Sequence, residues 1–116
     1  MLGFRLSGDY GRFLENLVLV ELLRRKKEPY YFQEKHECDF VIKQGASIQQ
    51  AIQVCYEINA ENQAREVNGL VEAMAACRLK EGILLTYDQD DEKTVDGMKI
   101  LMLPVWKWLL EGKNDT

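Results

Sequence analysis

The chain has 116 residues, 47% of them hydrophobic and 29% charged, which is typical of one globular domain spanning residues 1–116. Its formal net charge of −4 argues against tight nonspecific binding to nucleic acid, because such binding draws on a surplus of Lys and Arg. No apolar run is long enough to span a bilayer and no signal peptide opens the sequence, so a cytoplasmic protein without membrane contact is expected.

The first predicted element is a helix over residues 9–27, with Ser7 or Asp9 as its cap and Pro29 just beyond its end. The apolar side chains that surround much of this helix are Phe13, Leu14, Leu17, Val18, Val20, Leu22 and Leu23. Glu21 falls inside the main apolar arc, and Glu15 lies at its border. An acid in such a position is either neutralised by a partner or used for chemistry.

Three successive strands are predicted next, at residues 29–32, 38–43 and 47–58, with a turn at residues 44–46. Their short connections favour an antiparallel meander. Alternation along the second strand places on one face Cys38, Phe40 and Ile42. It places on the other face Asp39, Val41 and Lys43.

A second helix is predicted to start at Asn59 as its cap and to run to about residue 79. The alanines in this helix allow it to approach a sheet closely. The apolar strand at residues 83–87 follows. Because a strand, a helix and a strand in this order form a right-handed crossover, residues 83–87 are expected to lie parallel to residues 50–58.

The last third of the chain begins with a predicted solvated loop at residues 88–92. Residues 95–98 read Val-Asp-Gly-Met, which indicates a hairpin with a type I′ turn, and a strand at residues 99–103 follows. A short helix is predicted from Pro104, and residues 110–116 are expected to fray. These elements together predict an α/β fold with a mixed sheet and a helix on each face.

Four polar side chains are expected to meet on this sheet. Gln53 and Cys55 share one face of the third strand, in the stretch AIQVCYEI. Asp39 lies near the start of the preceding strand, so antiparallel pairing would bring it beside them. Glu15 comes from the first helix, which would cover that sheet. Lys43 lies nearby on the strand of Asp39.

Each member of this group also has a purely structural interpretation. Glu15 would pair with Arg12, and Asp39 would accept backbone N–H groups at a strand start. Gln53 would form hydrogen bonds across the sheet. Cys55 would be a packed small side chain.

The cysteines Cys38, Cys55 and Cys77 are widely spaced and odd in number, so reduced thiols are expected. A zinc site built from them and His36 would lack any Cys-x-x-Cys pair, and packing explains such thiols better. His36 lies in a predicted polar turn and is the only histidine, so no base is visibly paired with Cys55. A cysteine-dependent hydrolase is therefore not expected.

The segments around these residues resemble the PD-(D/E)xK nuclease superfamily. GRFLE at residues 11–15 matches its helix acid, CDF at residues 38–40 its aspartate, and QVC at residues 53–55 a degenerate form of its (E/Q)xK motif. Nearly the whole chain is more closely similar to the nuclease-like domain of unknown function found C-terminal to AAA+ ATPase modules in bacteria and archaea. The segments that carry this similarity are YGRFLENLVLVELLRR, ECDFVIK, IQVCYEI, KEGILLTYD and LPVWKWLL. It implies a restriction-endonuclease-like fold, with three αβα layers around a central mixed sheet.

The resemblance also implies a site chemistry. In the superfamily, phosphodiester hydrolysis uses Mg²⁺ held by the aspartate and by the E/Q position. Glu15, Asp39 and Gln53 are therefore the candidate catalytic residues and metal ligands. Cys55 stands at the position of the lysine, and a thiol does not replace a fixed cation. Lys43 is the candidate substitute for that lysine.

The resemblance and the missing lysine together predict a degenerate nuclease-like domain with little or no cleavage activity. We expect an accessory nucleic-acid-binding or interaction module of an AAA+ ATPase-type protein. ATP hydrolysis is not expected here, because the sequence contains no Walker motif. Two alternatives are an active Mg²⁺-dependent DNA nuclease and a purely structural domain that binds a protein partner or forms a homodimer.

Overall fold

The computed structural model describes the backbone of residues 6–112 and the side chains of residues 9–112. In chain order the elements are helix α1 (Leu6–Arg24), strands β1 (Glu28–Gln33), β2 (Glu37–Gln44) and β3 (Ser47–Val54), helix α2 (Gln63–Ala76), strands β4 (Glu81–Thr86), β5 (Asp91–Val95) and β6 (Met98–Pro104), and helix α3 (Val105–Glu111). The strands form one six-stranded sheet in the order β1-β2-β3-β4-β6-β5, so β1 and β5 are its edges. Among the helices of residues 6–112, none combines the length and apolar composition that a membrane crossing requires.

The strand pairing confirms the predicted meander and crossover. β1, β2 and β3 pair antiparallel, whereas β4 lies parallel to both β3 and β6. β5 and β6 form the predicted hairpin. Its turn residues Asp96 and Gly97 have φ values of 52° and 79°, as a type I′ turn requires.

The sheet carries one hydrophobic core on each face, so helices form layers on both sides. The α1-side core lies under α1 and α3 and contains Leu14, Val18, Leu22, Phe40, Ile42, Ile52, Val54, Leu85, Leu103, Val105 and Trp108. The α2-side core lies under α2 and contains Cys38, Val41, Ala51, Ile58, Val67, Leu70, Ala73, Met74, Leu84, Ile100 and Met102. The predicted mixed α/β structure with helices on both faces is therefore confirmed.

Glu21, the acid inside the apolar arc of α1, is neutralised by two arginines. Arg24 and Arg25 each donate to its carboxylate at 2.7 Å, and these hydrogen bonds, that of Arg24 above all, lower the pKa of Glu21 to about 2. The guanidinium of Arg25 also lies 4.2 Å from the centre of the Trp108 ring and donates to the Trp108 carbonyl. Glu21 therefore serves to join α1 to α3 and is not a candidate for chemistry.

The ends of α1 differ from the prediction. The helix begins at Leu6, so Asp9 lies inside it and does not cap it, while the side chain of Ser7 lies outside the described side chains. It ends at Arg24, because Lys26 takes a φ of 62° and the N–H of Lys27 turns back to the Leu22 carbonyl at 2.9 Å. A left-handed residue of this kind is a common way to end a helix.

The predicted start of α2 at Asn59 is also wrong. β3 ends at Val54, short of residue 58, and α2 begins only at Gln63. Between them the Asn59 side chain accepts hydrogen bonds from the N–H groups of Glu61 and Asn62. These are the contacts of an N-cap, so Asn59 caps a single turn that precedes α2.

Other boundaries shift as well. α2 ends at Ala76 instead of residue 79, because Arg78 has a φ of 60° and terminates it. β5 begins at Asp91, inside the predicted loop, because it pairs antiparallel with β6 from that residue onward. α3 continues to Glu111, so residues 110 and 111 are ordered as helix, and residues 113–116 lie outside the described part of the chain.

Candidate functional site

β2 contains a one-residue bulge where Asp39 lies. Tyr30 of β1 pairs with Val41 of β2, and Phe32 pairs with Cys38. The two pairs are two residues apart on β1 and three residues apart on β2, so β2 contains the extra residue. The bulge corrects the predicted alternation: Cys38 packs with Val41 in the α2-side core, while Phe40 packs on the opposite face. A bulge of this kind re-aims the side chains around it.

Asp39 joins β2 to the end of β3. Its backbone N–H donates to the Gln53 side-chain oxygen at 2.9 Å, and its Oδ2 accepts the Val54 N–H at 2.8 Å. The structural interpretation of Asp39, acceptance of backbone N–H groups, is thereby confirmed. One of the two carboxylate oxygens is consequently committed to a backbone hydrogen bond.

Gln53 is only 2% exposed, and both ends of its amide are occupied. Its Nε2 donates to the Glu37 carbonyl at 2.8 Å and to the Glu66 carbonyl at 3.0 Å, while its Oε1 accepts the Asp39 N–H. Gln53 thus ties β2 to α2 and positions the backbone of Asp39. The predicted hydrogen bonding across the sheet is present, and it occupies the amide oxygen that the resemblance assigns to a metal.

Glu15, Asp39 and Glu66 form what we call the acidic cluster. Burial, followed by the negative charges of Glu15 and Glu66, raises the pKa of Asp39 to about 7, although the Val54 N–H opposes this change. Burial also raises the pKa of Glu66, with a contribution from the charge of Glu15, while Arg65 lowers it. The structure therefore brings Glu15 and Asp39 together as predicted and adds a third carboxyl group.

Glu66 was missed by the sequence interpretation, although a signal for it was present. It lies four residues before Leu70 and seven before Ala73, and both of these are fully buried. That spacing places Glu66 on the sheet-facing side of α2. The same reasoning singled out Glu15 on α1, so an acid on the buried side of α2 was equally identifiable.

Cys55 contributes no positive charge to the site. Its thiol donates to the Glu57 carbonyl at 3.4 Å and accepts a hydrogen bond from the Asn62 amide at 3.6 Å. Burial, followed by the charge of Glu66, raises the pKa of Cys55 to about 11, so the thiol is neutral at physiological pH. The structure therefore gives Cys55 a packed and hydrogen-bonded role.

Lys43, the candidate substitute for the missing lysine, lies away from Asp39 along β2. It lies four residues beyond Asp39, which corresponds to roughly 13 Å along an extended strand. It pairs with Glu28 of β1 and Ile48 of β3. These pairs lie near the C-terminal end of β2, whereas Val54 of β3 lies near the N-terminal end of β2. The strand that carries Asp39 and Lys43 therefore keeps the two residues apart.

Three other cations do border the acidic cluster. A hollow of about 380 Å³ beside Glu15 and Glu66 is lined by Arg12 and Arg65, and an adjoining hollow of about 240 Å³ beside Asp39 is lined by Arg65 and Lys35. Arg65 also pairs with Glu66 at 3.2 Å. We call Arg12, Lys35 and Arg65 the rim cations.

The residues considered for zinc are dispersed. His36 is held by Glu72, with Nδ1 2.6 Å from one carboxylate oxygen and the His36 N–H donating to the other at 2.9 Å. Cys38 is fully buried, and burial raises its pKa to about 12. Across the part of the chain with described side chains, no group of three or more His, Cys, Asp and Glu residues is arranged to hold a metal ion.

Replacing Asp39 with asparagine is expected to make folding stability less dependent on pH. Because the pKa of Asp39 is about 7 when folded and 3.8 in the reference state, the folded chain binds more protons between these values. Stability contributed by Asp39 is thus present below pH 3.8 and is lost as pH rises through about 7. Asparagine keeps an oxygen for the Val54 N–H and removes the charge.

The measurement is the urea midpoint of the wild type and Asp39→Asn at about pH 5 and about pH 8. We expect the wild type to lose more stability than the variant between these two values. Asp91→Asn, which removes an exposed carboxylate at the far edge of the sheet, is the matched control. Equal losses in the wild type and Asp39→Asn would contradict the assignment of a buried, proton-binding carboxyl group.

Comparison with known proteins places these features in a family. Residues 10–107 match the family profile of the domain of unknown function DUF4143. The chain is also 39% identical, over 115 residues, to the uncharacterized protein MJ1544 of Methanocaldococcus jannaschii. That match covers 90% of this chain and 26% of the archaeal protein, so the chain spans about a quarter of the length of this curated relative. The chain belongs to the DUF4143 family.

Proposed function

We propose that this is a degenerate PD-(D/E)xK nuclease-like domain with little or no cleavage activity, which serves as an accessory binding module of a longer AAA+ ATPase-type protein. The mixed sheet with helices on both faces is compatible with a restriction-endonuclease-like fold. The archaeal relative is about four times as long as its matched segment, as expected if the domain accompanies other modules.

The observation that carries the proposal is the protonation chemistry at the centre of the site. A nuclease needs a cation near the reacting phosphate and ionised ligands for its metal. Here the lysine position holds Cys55, whose pKa is about 11, and Asp39 has a pKa of about 7. The centre thus presents a neutral thiol and a carboxyl group that is partly protonated at neutral pH.

Two of the residues assigned to Mg²⁺ by resemblance are partly committed to other hydrogen bonds. Gln53 uses its oxygen for the Asp39 N–H, and Asp39 uses one oxygen for the Val54 N–H. Mg²⁺ requires near-ideal octahedral geometry from its oxygen ligands. The ion would have to use the second lone pair of the Gln53 oxygen and the second oxygen of Asp39, on side chains whose positions these hydrogen bonds already fix.

An active Mg²⁺-dependent DNA nuclease is the second candidate, and two features favour it. Glu66 adds a carboxyl group that the sequence motif does not include. The rim cations Arg12, Lys35 and Arg65 line the hollows beside the acidic cluster, where phosphate groups of a bound strand would lie.

The deciding experiment incubates the protein with single-stranded, duplex and branched DNA in Mg²⁺ and in Mn²⁺. We expect no cleavage above the background that an Asp39→Ala variant shows. Cleavage that requires the metal and disappears in Asp39→Ala would overturn the proposal in favour of the active nuclease.

A gel-shift measurement at low salt then separates the two kinds of partner. Binding that is lost when Arg65 and Lys35 are replaced with glutamine would assign the module to nucleic acid. Absence of any shift would favour a protein partner, which large apolar side chains exposed on α1 and α3 could contact. These side chains are Phe13, Val20, Leu23, Trp106 and Leu110.

A further inference from the structure

Three tyrosine rings stack in a row where the parallel strands β3 and β4 end. Tyr10 comes from α1, Tyr56 follows β3, and Tyr87 follows β4. The ring centres of Tyr10 and Tyr56 are 5.1 Å apart and those of Tyr56 and Tyr87 are 5.0 Å apart, with interplanar angles of 23° and 24°. Ligands of α/β proteins bind preferentially beyond the carboxyl ends of such strands.

The backbone holds this row in place. The Cys55 N–H donates to the Leu85 carbonyl at 2.9 Å, and the Tyr87 N–H donates to the Tyr56 carbonyl at 3.0 Å. The hydrogen bonding between β3 and β4 therefore continues past both strands to the tyrosines. Because the backbone of two of the rings is fixed, the aromatic surface is preorganised for a ligand.

The outer rings are largely exposed among the residues that the structure describes. Tyr10 is 47% exposed, Tyr87 is 54% exposed, and the neighbouring Phe13 is 64% exposed. Together with Asp9, Leu14 and Tyr56 these rings line a hollow of about 570 Å³, which we call the tyrosine hollow. It contains none of the three acids of the acidic cluster, and it adjoins the hollow of about 380 Å³ beside that cluster, because Tyr56 lines both.

Among the residues with described side chains, the charges nearest the tyrosine hollow are negative. Asp9 lines it directly. The pKa of Tyr56 is raised by burial first, then by the neighbouring Tyr87 and Tyr10, and to a smaller extent by the nearby carboxylates of Asp88 and Glu57. Of the described side chains that line the hollow, none belongs to Lys or Arg. A nucleic acid strand would be repelled by these carboxylates, whereas a cation would be attracted.

We propose that the tyrosine hollow receives an arginine or lysine side chain of a partner polypeptide. A guanidinium or ammonium group over an aromatic face is stabilised by the ring quadrupole, and nearby carboxylates add charge-assisted hydrogen bonds. The proposal rests on the proposed function in one respect, namely that the domain serves as a binding module, and it names the chemistry of the partner.

The chain already holds one of its own arginines by the same combination of groups. Arg25 lies 4.2 Å from the centre of the Trp108 ring and donates to the Glu21 carboxylate at 2.7 Å. An aromatic face with a carboxylate beside it is therefore a working arginine site in this fold. The tyrosine hollow offers the same two groups to a cation from outside.

The test is an NMR titration of the full 116-residue chain with an acetylated Gly-Arg-Gly-Arg-Gly amide, observing the tyrosine ring resonances. The matched peptide carries citrulline in place of each arginine, which keeps the shape and removes the charge. We expect the arginine peptide to shift the signals of Tyr10 and Tyr87. The citrulline peptide should bind at least about threefold more weakly, since an exposed cation–π contact contributes roughly 0.5–1 kcal/mol.

Variants assign the binding to the hollow. Tyr87→Leu and Asp88→Asn should each weaken binding of the arginine peptide by roughly two- to fivefold. Tyr30→Leu, which removes an exposed tyrosine from the edge strand β1, should leave the affinity for the arginine peptide unchanged.

Equal binding of the two peptides, or binding that Tyr87→Leu does not change, would overturn the proposal. So would a single-stranded oligonucleotide that shifts the same rings and displaces the arginine peptide. The DNA cleavage assay is independent of all these results. If the peptide did not bind and the protein did not cleave DNA, the tyrosine hollow would no longer be a candidate binding site. The proposed lack of cleavage activity would still hold.

Discussion

Replacing Gly69 with alanine is expected to destabilise the domain by about 3 kcal/mol, the upper range for forcing an extra carbon into a packed interior. A Cβ atom at this position would lie 2.0 Å from the Glu37 carbonyl oxygen and 2.8 Å from Nε2 of Gln53. The nearest atom belongs to the backbone of β2, so it cannot swing aside. α2 would have to move away from the sheet, and the hydrogen bonds of Gln53 would lengthen.

Urea unfolding at pH 7 measures this effect, and Gly11→Ala in α1 provides the matched control. A Cβ at residue 11 meets no atom within 4 Å. Gly11→Ala should therefore stabilise the domain by up to about 1 kcal/mol, the difference in helix propensity. If the two variants had the same midpoint, the close approach of α2 to β2 would be wrong.

Replacing Gln53 with methionine is expected to cost about 3 kcal/mol or more, because the loss of buried hydrogen-bond partners costs about 1–3 kcal/mol for each group left unsatisfied. Methionine has a similar volume, so the change isolates the hydrogen bonds from packing. The Asp39 N–H and the Glu37 carbonyl would both lose the Gln53 amide. The acidic cluster would then lose the support that positions Asp39.

Gln49→Met is the control for this prediction. Gln49 is an exposed glutamine on the same strand, and its amide donates only to the Ser47 hydroxyl. Its replacement should change stability by no more than about 0.5 kcal/mol. Urea midpoints of the two variants compare a buried amide with an exposed one, and equal midpoints would show that the Gln53 hydrogen bonds contribute nothing.

The same contacts predict the outcome of restoring the motif acid. Gln53→Glu keeps an oxygen for the Asp39 N–H, but an ionised carboxylate cannot donate to the carbonyls of Glu37 and Glu66. It would also add a charge beside Asp39, whose pKa is already raised by its neighbours. We therefore expect glutamate to be less stable than glutamine at this position.

Much of the fold was predictable because its signals are local. The spacing of Leu14, Val18 and Leu22 predicts the buried side of α1, and the pair Asp96-Gly97 predicts a type I′ turn. Each depends on residues close in sequence. The bulge at Asp39 was not predictable in this way, since it arises from how β2 pairs with β1.

The site shows the same division. The meeting of Asp39 with Gln53 followed from antiparallel pairing of adjacent strands, and it is confirmed. The arrival of Glu66 and Arg65 depends on where α2 crosses the sheet. α2 can approach β2 at this point because Gly69 has no side chain. The hydrophobic periodicity of the sequence does not predict such a close approach. The roles of these residues in catalysis or metal binding stay predictions.

The two edge strands limit how this domain can associate. β1 carries Pro29, which has no N–H to offer a neighbouring strand. β5 carries Asp91, Glu92 and Lys93, charged side chains of the kind that block edge-to-edge pairing. Extension of the sheet from one molecule into another, as in fibres or swapped strands, is therefore disfavoured at both ends. Association is left to the helical faces and loops, where contacts between side chains determine the choice of partner.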